Sequence, residues 1–319
     1  MVQFLIKRLI GLVFVIICVT FITFILGFYA PGDPIRGMLG PHFNIDVYNR
    51  LKHAYGLDLP WYQQYFNFLT NLIRGNLGLS FDTANRPVAD ILKQGLPVSL
   101  ELGAWGLVLE LIVGIPLGIL AALKAGSWID SLSMAVALIL YAVPVFILAV
   151  LLQVLIVWLT LNAGLHWPVS GWGTPWQYSW SDIQFKLGPI IIFAAAGMAY
   201  FARLARTSTL EVLRQDYIRT ARAKGLYERI VIYRHALRNS LIPIITVLGV
   251  SIGFLVAGAF FIENVFNIPG IGYITIESIT TRDYPVIQAT TVLLAIAVVI
   301  GNLISDILYT VVDPRIKTS

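Results

Sequence analysis

Leu9–Tyr29 reads LIGLVFVIICVTFITFILGFY and holds no charged residue. About 20 apolar residues in a helix match the thickness of a bilayer's hydrocarbon core. In lipid the backbone must satisfy its own N–H and C=O groups, which restricts such a run to a helix or a closed barrel. Comparable runs recur at Leu100–Leu123, Ser131–Leu161, Leu187–Leu204, Leu241–Phe261 and Pro285–Val311. The expected fold is therefore an all-α polytopic membrane protein with six transmembrane helices. The third run is too long for one upright helix and too short for two joined by a polar turn. Pro144 in its middle predicts one tilted helix kinked there. Composition agrees, with 58% hydrophobic and 12% charged residues and a mean hydropathy of +0.80. Soluble domains carry about a quarter charged residues. Lys7 and Arg8 precede a first run that is longer than a signal-peptide core, without an Ala-x-Ala-like cleavage site after it, so this helix is expected to be retained. The lone Cys18 excludes an internal disulfide.

Orientation follows the Lys/Arg bias of the connecting loops. Fourteen of the 22 Lys and Arg fall in one set: the N-terminus, the 124–130 turn, the 203–240 loop and the tail. That set is expected to be cytoplasmic. The 30–98 segment then lies outside. Within it, LPWYQQYFNFLTNLIRG predicts a helix with Pro60 as its first residue and Trp61, Tyr65, Phe68, Leu69 and Leu72 at helical spacing, suited to the membrane–water boundary. RPVADILKQGLP reads as a second short helix ahead of the second span. In the 162–186 loop, Trp172, Pro175, Trp176 and Trp180 form a pathway lining or an interfacial aromatic belt, and the belt is the favoured reading.

Several chemistries are missing. There is no G-x-x-x-x-G-K-[ST] phosphate loop, no H-E-x-x-H pair and no G-x-S-x-G elbow. His42, His53, His166 and His235 are scattered without metal spacing. No catalytic, cofactor or metal site is expected. Glu110 stands mid-span, where a carboxylate is costly; it reads as functional or as a bundle-facing group with a hydroxyl partner. Asn302 and Asp306, near a helix end, read as structural. Glu110, Tyr141 and Pro144, together with Asn267, Pro269, Gly270 and Gly272 of the stiff NIPGIG turn, are the candidate pathway or gate residues.

The most polar insert is DYIRTARAKGLYERIVIYRHALRNSLIP, from Asp216 to Pro243. Asp216–Lys224 suits a helix with an acidic start, and Gly225 a left-handed cap. Tyr217, Ala221 and Gly225 fall at i, i+4 and i+8, a stripe of small residues that permits another protein to approach. A basic loop lying on anionic lipid is the alternative. The segment resembles the cytoplasmic loop of ABC importer permeases, whose pattern is Glu-Ala-Ala-x-x-x-Gly, nine residues, then Ile-x-Leu-Pro. Ala221, Gly225 and Leu237 match. Arg219, Thr220, His235 and Arg238 depart, in the form typical of the oligopeptide/dipeptide permease family. Similar matches are APGDP at 30–34, GLDLPWYQQY at 56–65, GNLGLS at 75–80, VGIPLGILAA at 113–122, FNIPGIGYI at 266–274 and RDYPVIQ at 282–288.

This resemblance implies the type I importer permease fold and a role as one half of a translocation pathway for di- or oligopeptides. It implies a second homologous permease, two ATPase subunits that bind ATP and Mg, and an extracytoplasmic substrate-binding protein, in a bacterial or archaeal cytoplasmic membrane. The coupling-loop residues it implies are Asp216, Tyr217, Arg219, Thr220, Ala221, Arg222, Lys224, Gly225, His235 and Leu237. The organisation expected is an N-terminal span over 1–29, an extracytoplasmic helical segment over 30–98, a permease core over 99–311 holding the coupling loop 206–240, and a cytoplasmic tail over 312–319. The same family also carries oligosaccharides and nickel. An ion-coupled secondary transporter would exploit Glu110, and an intramembrane enzyme would need paired catalytic residues that are not apparent.

Overall fold

The structure is a computed structural model, and it describes residues 2–30, 32–39, 43–82, 86–253, 255 and 259–312. Among them the regular structure is helical apart from one β-bridge, Leu79 to Pro87. Helix α1 is Val2–Tyr29, followed by three short helices, α2 (Pro34–Leu39), α3 (Ile45–Ala54) and α4 (Trp61–Ile73). Then come α5 (Val88–Leu123), α6 (Trp128–Ala142), α7 (Val145–Ala163), α8 (Trp180–Leu213) and α9 (Asp216–Ala223). The chain closes with α10 (Glu228–Gly253), α11 (Phe260–Val265), α12 (Ile271–Thr281) and α13 (Tyr284–Val312). Among the described residues six helices are long and apolar enough to span a membrane: α1, α5, α7, α8, α10 and α13. One end of the bundle carries the 124–127 turn and α9, and is called the basic end here. The far end carries α2–α4, the 164–179 loop, α11 and α12.

Three expectations are corrected. The third run is broken rather than kinked. Val143 is extended (φ −80, ψ 124), because a proline's ring crowds the residue before it out of the helical region. Pro144 is then the N-cap of α7. Both halves still run along α8, since Asp130 of α6 reaches Arg206 and Leu152 of α7 reaches Gly188. Secondly, RPVADILKQGLP does not form a separate helix. It is the first part of α5, which continues through Pro97. Thirdly, the fifth span is helical to Gly253, and Leu255 stands in a turn; residues 254 and 256–258 of the expected Leu241–Phe261 run lie outside the described residues. Phe260 opens α11, whose Glu263 turns inward to the start of α12. Pro60 is the N-cap of α4, so that helix begins at Trp61, one residue later than expected.

Small residues set how closely the spans cross, as lipid offers no hydrophobic drive between helices. At Gly118 a Cβ would collide with the Ala202 carbonyl of α8, and at Gly114 it would lie 2.7 Å from the Met198 carbonyl. Gly249 abuts Ser305, and Gly253 abuts Gly301, where α10 crosses α13. At the far end α4 rests on α1 through Tyr65, whose ring meets Phe21 and Phe24 at 5.4 and 5.3 Å and whose hydroxyl bonds Thr20. Asn44 caps α3 by accepting from the Asp46 and Val47 amides.

Candidate coupling loop and pathway residues

α9 is an amphipathic helix seated on the base of the bundle. Ile218 and Ala221 are buried against Val231 and Ala236 of α10, with Val212 and Leu213 beside them. Three polar links hold the seat. The Asn239 Nδ2 donates to the Tyr217 hydroxyl at 2.8 Å, the Ser208 hydroxyl to the Ser240 carbonyl at 2.8 Å, and Arg222 pairs with both Glu228 oxygens at 3.1 and 2.7 Å. Gly225 ends the helix with φ +77. Its N–H bonds the Arg222 carbonyl, and the Leu226 N–H bonds the Ala221 carbonyl, which is the Schellman arrangement. A Cβ at Gly225 would meet no atom within 4 Å, so the glycine serves its backbone angle and not packing inside this chain.

The Tyr217–Ala221–Gly225 stripe does not form one outward face. Ala221 is 7% exposed and packs on its own chain, whereas Tyr217 is 41% exposed. On a helix the inward and outward residues must alternate with its turn, and Ile218 together with Ala221 claims the inward side. The outward side carries Asp216, Arg219, Thr220 and Lys224. Of the later residues, His235 and Leu237 are half-buried where α10 begins.

The expected pathway residues separate into three places. Glu110 is buried at a π-helical turn, Glu110–Gly114, with its carboxylate against Gly197 of α8. Tyr141 ends α6 and lies under the Arg203 guanidinium, 4.1 Å from the ring centre, just before the Pro144 break. Asn267 and Pro269 are exposed, while Gly270 and Gly272 are buried. Those two glycines lie against the Glu263 carboxylate, where a Cβ would intrude. Glu263 accepts from the Gly272 and Tyr273 amides at 2.7 and 3.1 Å and from Ser99 Oγ at 2.6 Å, and so caps α12. Ser99 Oγ in turn accepts from the Ile271 amide at 2.8 Å.

Residues 114–318 match the family described as "Binding-protein-dependent transport system inner membrane component", and residues 1–103 match its N-terminal partner, "Binding-prot-dependent transport system membrane comp, N-term". The chain belongs to this family. It is the permease component of an ABC importer. It is 38% identical over 318 residues to the "Glutathione transport system permease protein GsiC" of Escherichia coli (strain K12), covering 99% of both chains. It is also 38% identical over 317 residues to the "Dipeptide transport system permease protein DppB" of Lactococcus lactis subsp. cremoris (strain MG1363), covering 99% of this chain and 100% of that protein. A chain in the "Inward facing conformations of the MetNI methionine ABC transporter" shares the fold, with a TM-score of 0.54, 18% identity, and coverage of 70% of this chain and 96% of that one.

The permease also holds buried charges that sequence reasoning passed over. Lys186 and Glu101, 3% and 0% exposed, form an ion pair at 2.7 Å. Lys186 also donates to the Thr174 and Gln177 carbonyls, and Glu101 accepts from Trp172 Nε1 at 3.0 Å and the Trp176 amide at 2.9 Å. A buried pair is sustained only when its remaining lone pairs and protons are met, as here. The network fastens the 164–179 loop. It also corrects the belt, since Trp172 is a 2% exposed core residue, whereas Trp176 and Trp180 are 51% and 68% exposed. Asp283 is buried too, and accepts from the Ser80 hydroxyl and from the Phe81 amide at 3.0 Å. Glu110 is thus one of several buried carboxylates. The others accept from backbone N–H groups, Glu101 from within α5 and Glu263 and Asp283 beside helix ends.

Proposed function

We propose that this permease forms one half of the translocation pathway of an ATP-driven importer of short peptides, and that 216–240 is where an ATPase subunit docks. The observation that carries this reading is the two-sided seat of α9. Its apolar side is buried in this chain, and its polar side, with Asp216, Arg219, Thr220 and Lys224, is presented outward beside an unobstructed Gly225. Tyr217, Arg222, His235 and Leu237 would orient that surface, with Ala221 acting from the inward side. Glutathione and dipeptides, named for the two relatives above, are short peptides, which supports the same cargo class. In this arrangement a second permease completes the pathway, two ATPase subunits bind ATP and Mg, and a binding protein delivers cargo. The loop bias supports cytoplasmic termini in a bacterial or archaeal cytoplasmic membrane. The 30–98 segment and residues 264–284 would then meet the binding protein, and the 99–311 core would carry the pathway. Closure of the ATPases would move α9, and through it α8 and α10, between two packed states. Glu110 and Tyr141 pack on Gly197 and Arg203 of α8, and Pro144 follows Tyr141, in the region where those states would differ.

The test is uptake by the reconstituted importer. Labelled dipeptide should accumulate with ATP and not with a proton gradient in the absence of nucleotide. Uptake of oligosaccharide or nickel in its place would replace the cargo; gradient-driven uptake would remove the ATPase. Topology is read in a Cys18→Ala background. A cysteine at Lys224 should label only after permeabilisation, and one at Asn85 (outside the described residues) should label from the external side.

A further inference from the structure

The end of α1, helices α3 and α4 and the start of α13 enclose a cavity of about 640 Å³ at the far end. That size is typical of a small-molecule site. Neither α9 nor the buried carboxylates line it. α4 turns Gln64, Asn67 and Asn71 into it, at i, i+3 and i+7 of one face. Gln288 of α13 adds a fourth amide. Gln64 donates to the Leu59 carbonyl, whereas the side-chain amides of the exposed Asn67 and Asn71 and the half-buried Gln288 have no hydrogen-bond partner among the described residues.

The charged groups at this site are already engaged. Asp33 accepts from the Tyr48 hydroxyl at 2.6 Å and from the Ile35 amide at 3.0 Å, and the Lys52 ammonium lies 6.0 Å from the Tyr48 ring centre. Four of the lining aromatic rings are engaged as well. Phe24 stacks on Phe28 at 6.0 Å, and Tyr55 meets Phe81 edge-on at 4.9 Å. Lys52 is the one cation among the lining residues, so a headgroup of several negative charges would be poorly matched. What remains open is a row of neutral amides.

We infer that this cavity binds a short extended peptide through its main chain. A side-chain amide offers both a donor and an acceptor, the complement of a peptide group. Asn67 and Asn71 are separated by about 6 Å along their helix, close to the roughly 6.8 Å between same-side peptide groups of an extended chain. Recognition of this kind ignores the ligand's side chains. The site is built by the 30–98 segment against the ends of α1 and α13, away from α9, so the inference goes beyond the transport reading and is tested without transport.

The experiment uses the assembled importer in nanodiscs, without its binding protein, and a diazirine-labelled trialanine. Photolabel should map to α3 and α4. Unlabelled trialanine should compete about tenfold better than its N-methylated analogue, which lacks the main-chain donors. Asn67→Leu with Asn71→Leu should abolish labelling, and Asn67→Gln should retain much of it, which separates lost amides from misfolding. Labelling confined to other segments, labelling indifferent to Asn67 and Asn71, or equal competition by maltotriose overturns the inference. Peptide uptake is scored separately. A labelled cavity without uptake would sink the cargo reading alone, and uptake with an unlabelled cavity would sink this one alone.

Discussion

Ile218→Ala should unseat α9. The helix spans eight residues, too few to be stable in isolation, so its order comes from its seat. Ile218 is fully buried in that seat. Truncating a buried Ile to Ala costs about 2–5 kcal/mol, and the lower half applies because the seat is open to solvent on one side. A loss of about 2–3 kcal/mol lowers the ratio of docked to undocked α9 by about 30- to 150-fold. The other supports are weaker. The Tyr217–Asn239 hydrogen bond is worth about 1 kcal/mol. The Arg222–Glu228 pair, with side chains 44% and 55% exposed, contributes less than that. Hydrogen exchange of amides 217–226 in the assembled importer reads the ratio directly. Exchange there should rise by at least an order of magnitude. Peptide uptake should fall while ATP hydrolysis continues, and Arg222→Ala should change exchange only a few-fold. Unaltered exchange in Ile218→Ala would mean that the apolar seat does not hold α9, and the two-sided argument for docking would fall with it.

Gly225→Ala should cost about 1–2 kcal/mol through its left-handed backbone alone. No atom of this chain lies near the added carbon, so any further loss of transport in Gly225→Trp measures an obstruction by another subunit; equal transport by the two variants would remove that contact. Asp130→Ala should lower the detergent-solubilised unfolding temperature, because it strands Arg206, bonded to Asp130 at 2.5 and 2.7 Å. Arg206 is 28% exposed, so about 1–2 kcal/mol is expected, with partial recovery in the Asp130→Arg, Arg206→Asp exchange. Glu263→Gln should loosen α12 by about 1–3 kcal/mol, since the amide nitrogen must face donors that the carboxylate accepts from; unaltered protection of the Gly272 and Tyr273 amides in hydrogen exchange would discount the cap.

Where the apolar runs lay was legible because a bilayer imposes a length. Where the helices end was less so. The second apolar run opens at Leu100, yet a helix can leave the apolar layer and keep its hydrogen bonds. Hence α5 begins at Val88. α8 likewise extends past the apolar limits at Leu187 and Leu204, to Trp180 and Leu213. Pro144 predicts a kink through its missing N–H and its crowding of the preceding turn. The extended Val143 turns the kink into a break.

The coupling loop was legible as far as its motif reaches. The cap at Gly225 follows from backbone chemistry that one residue carries. The orientation of the helix does not, since Tyr217 and Ala221 share a stripe with Gly225 only until Ile218 is given a place to bury. Burial of Ile218 needs Val231 and Ala236, which belong to the next helix and are separated from it by the glycine turn. The buried charges illustrate the same limit more sharply. Glu101 and Lys186 are 85 residues apart, and Ser80 and Asp283 are 203 apart. Each alone reads as an ordinary polar residue at a span's edge. Apart from a partner, Lys186 would merely count toward the charge of an outer loop. Pairing depends on the path of α5 along α8, and that path is fixed by where Gly114 and Gly118 admit the Met198 and Ala202 backbone. The charges therefore become readable only after the glycines have set the crossing.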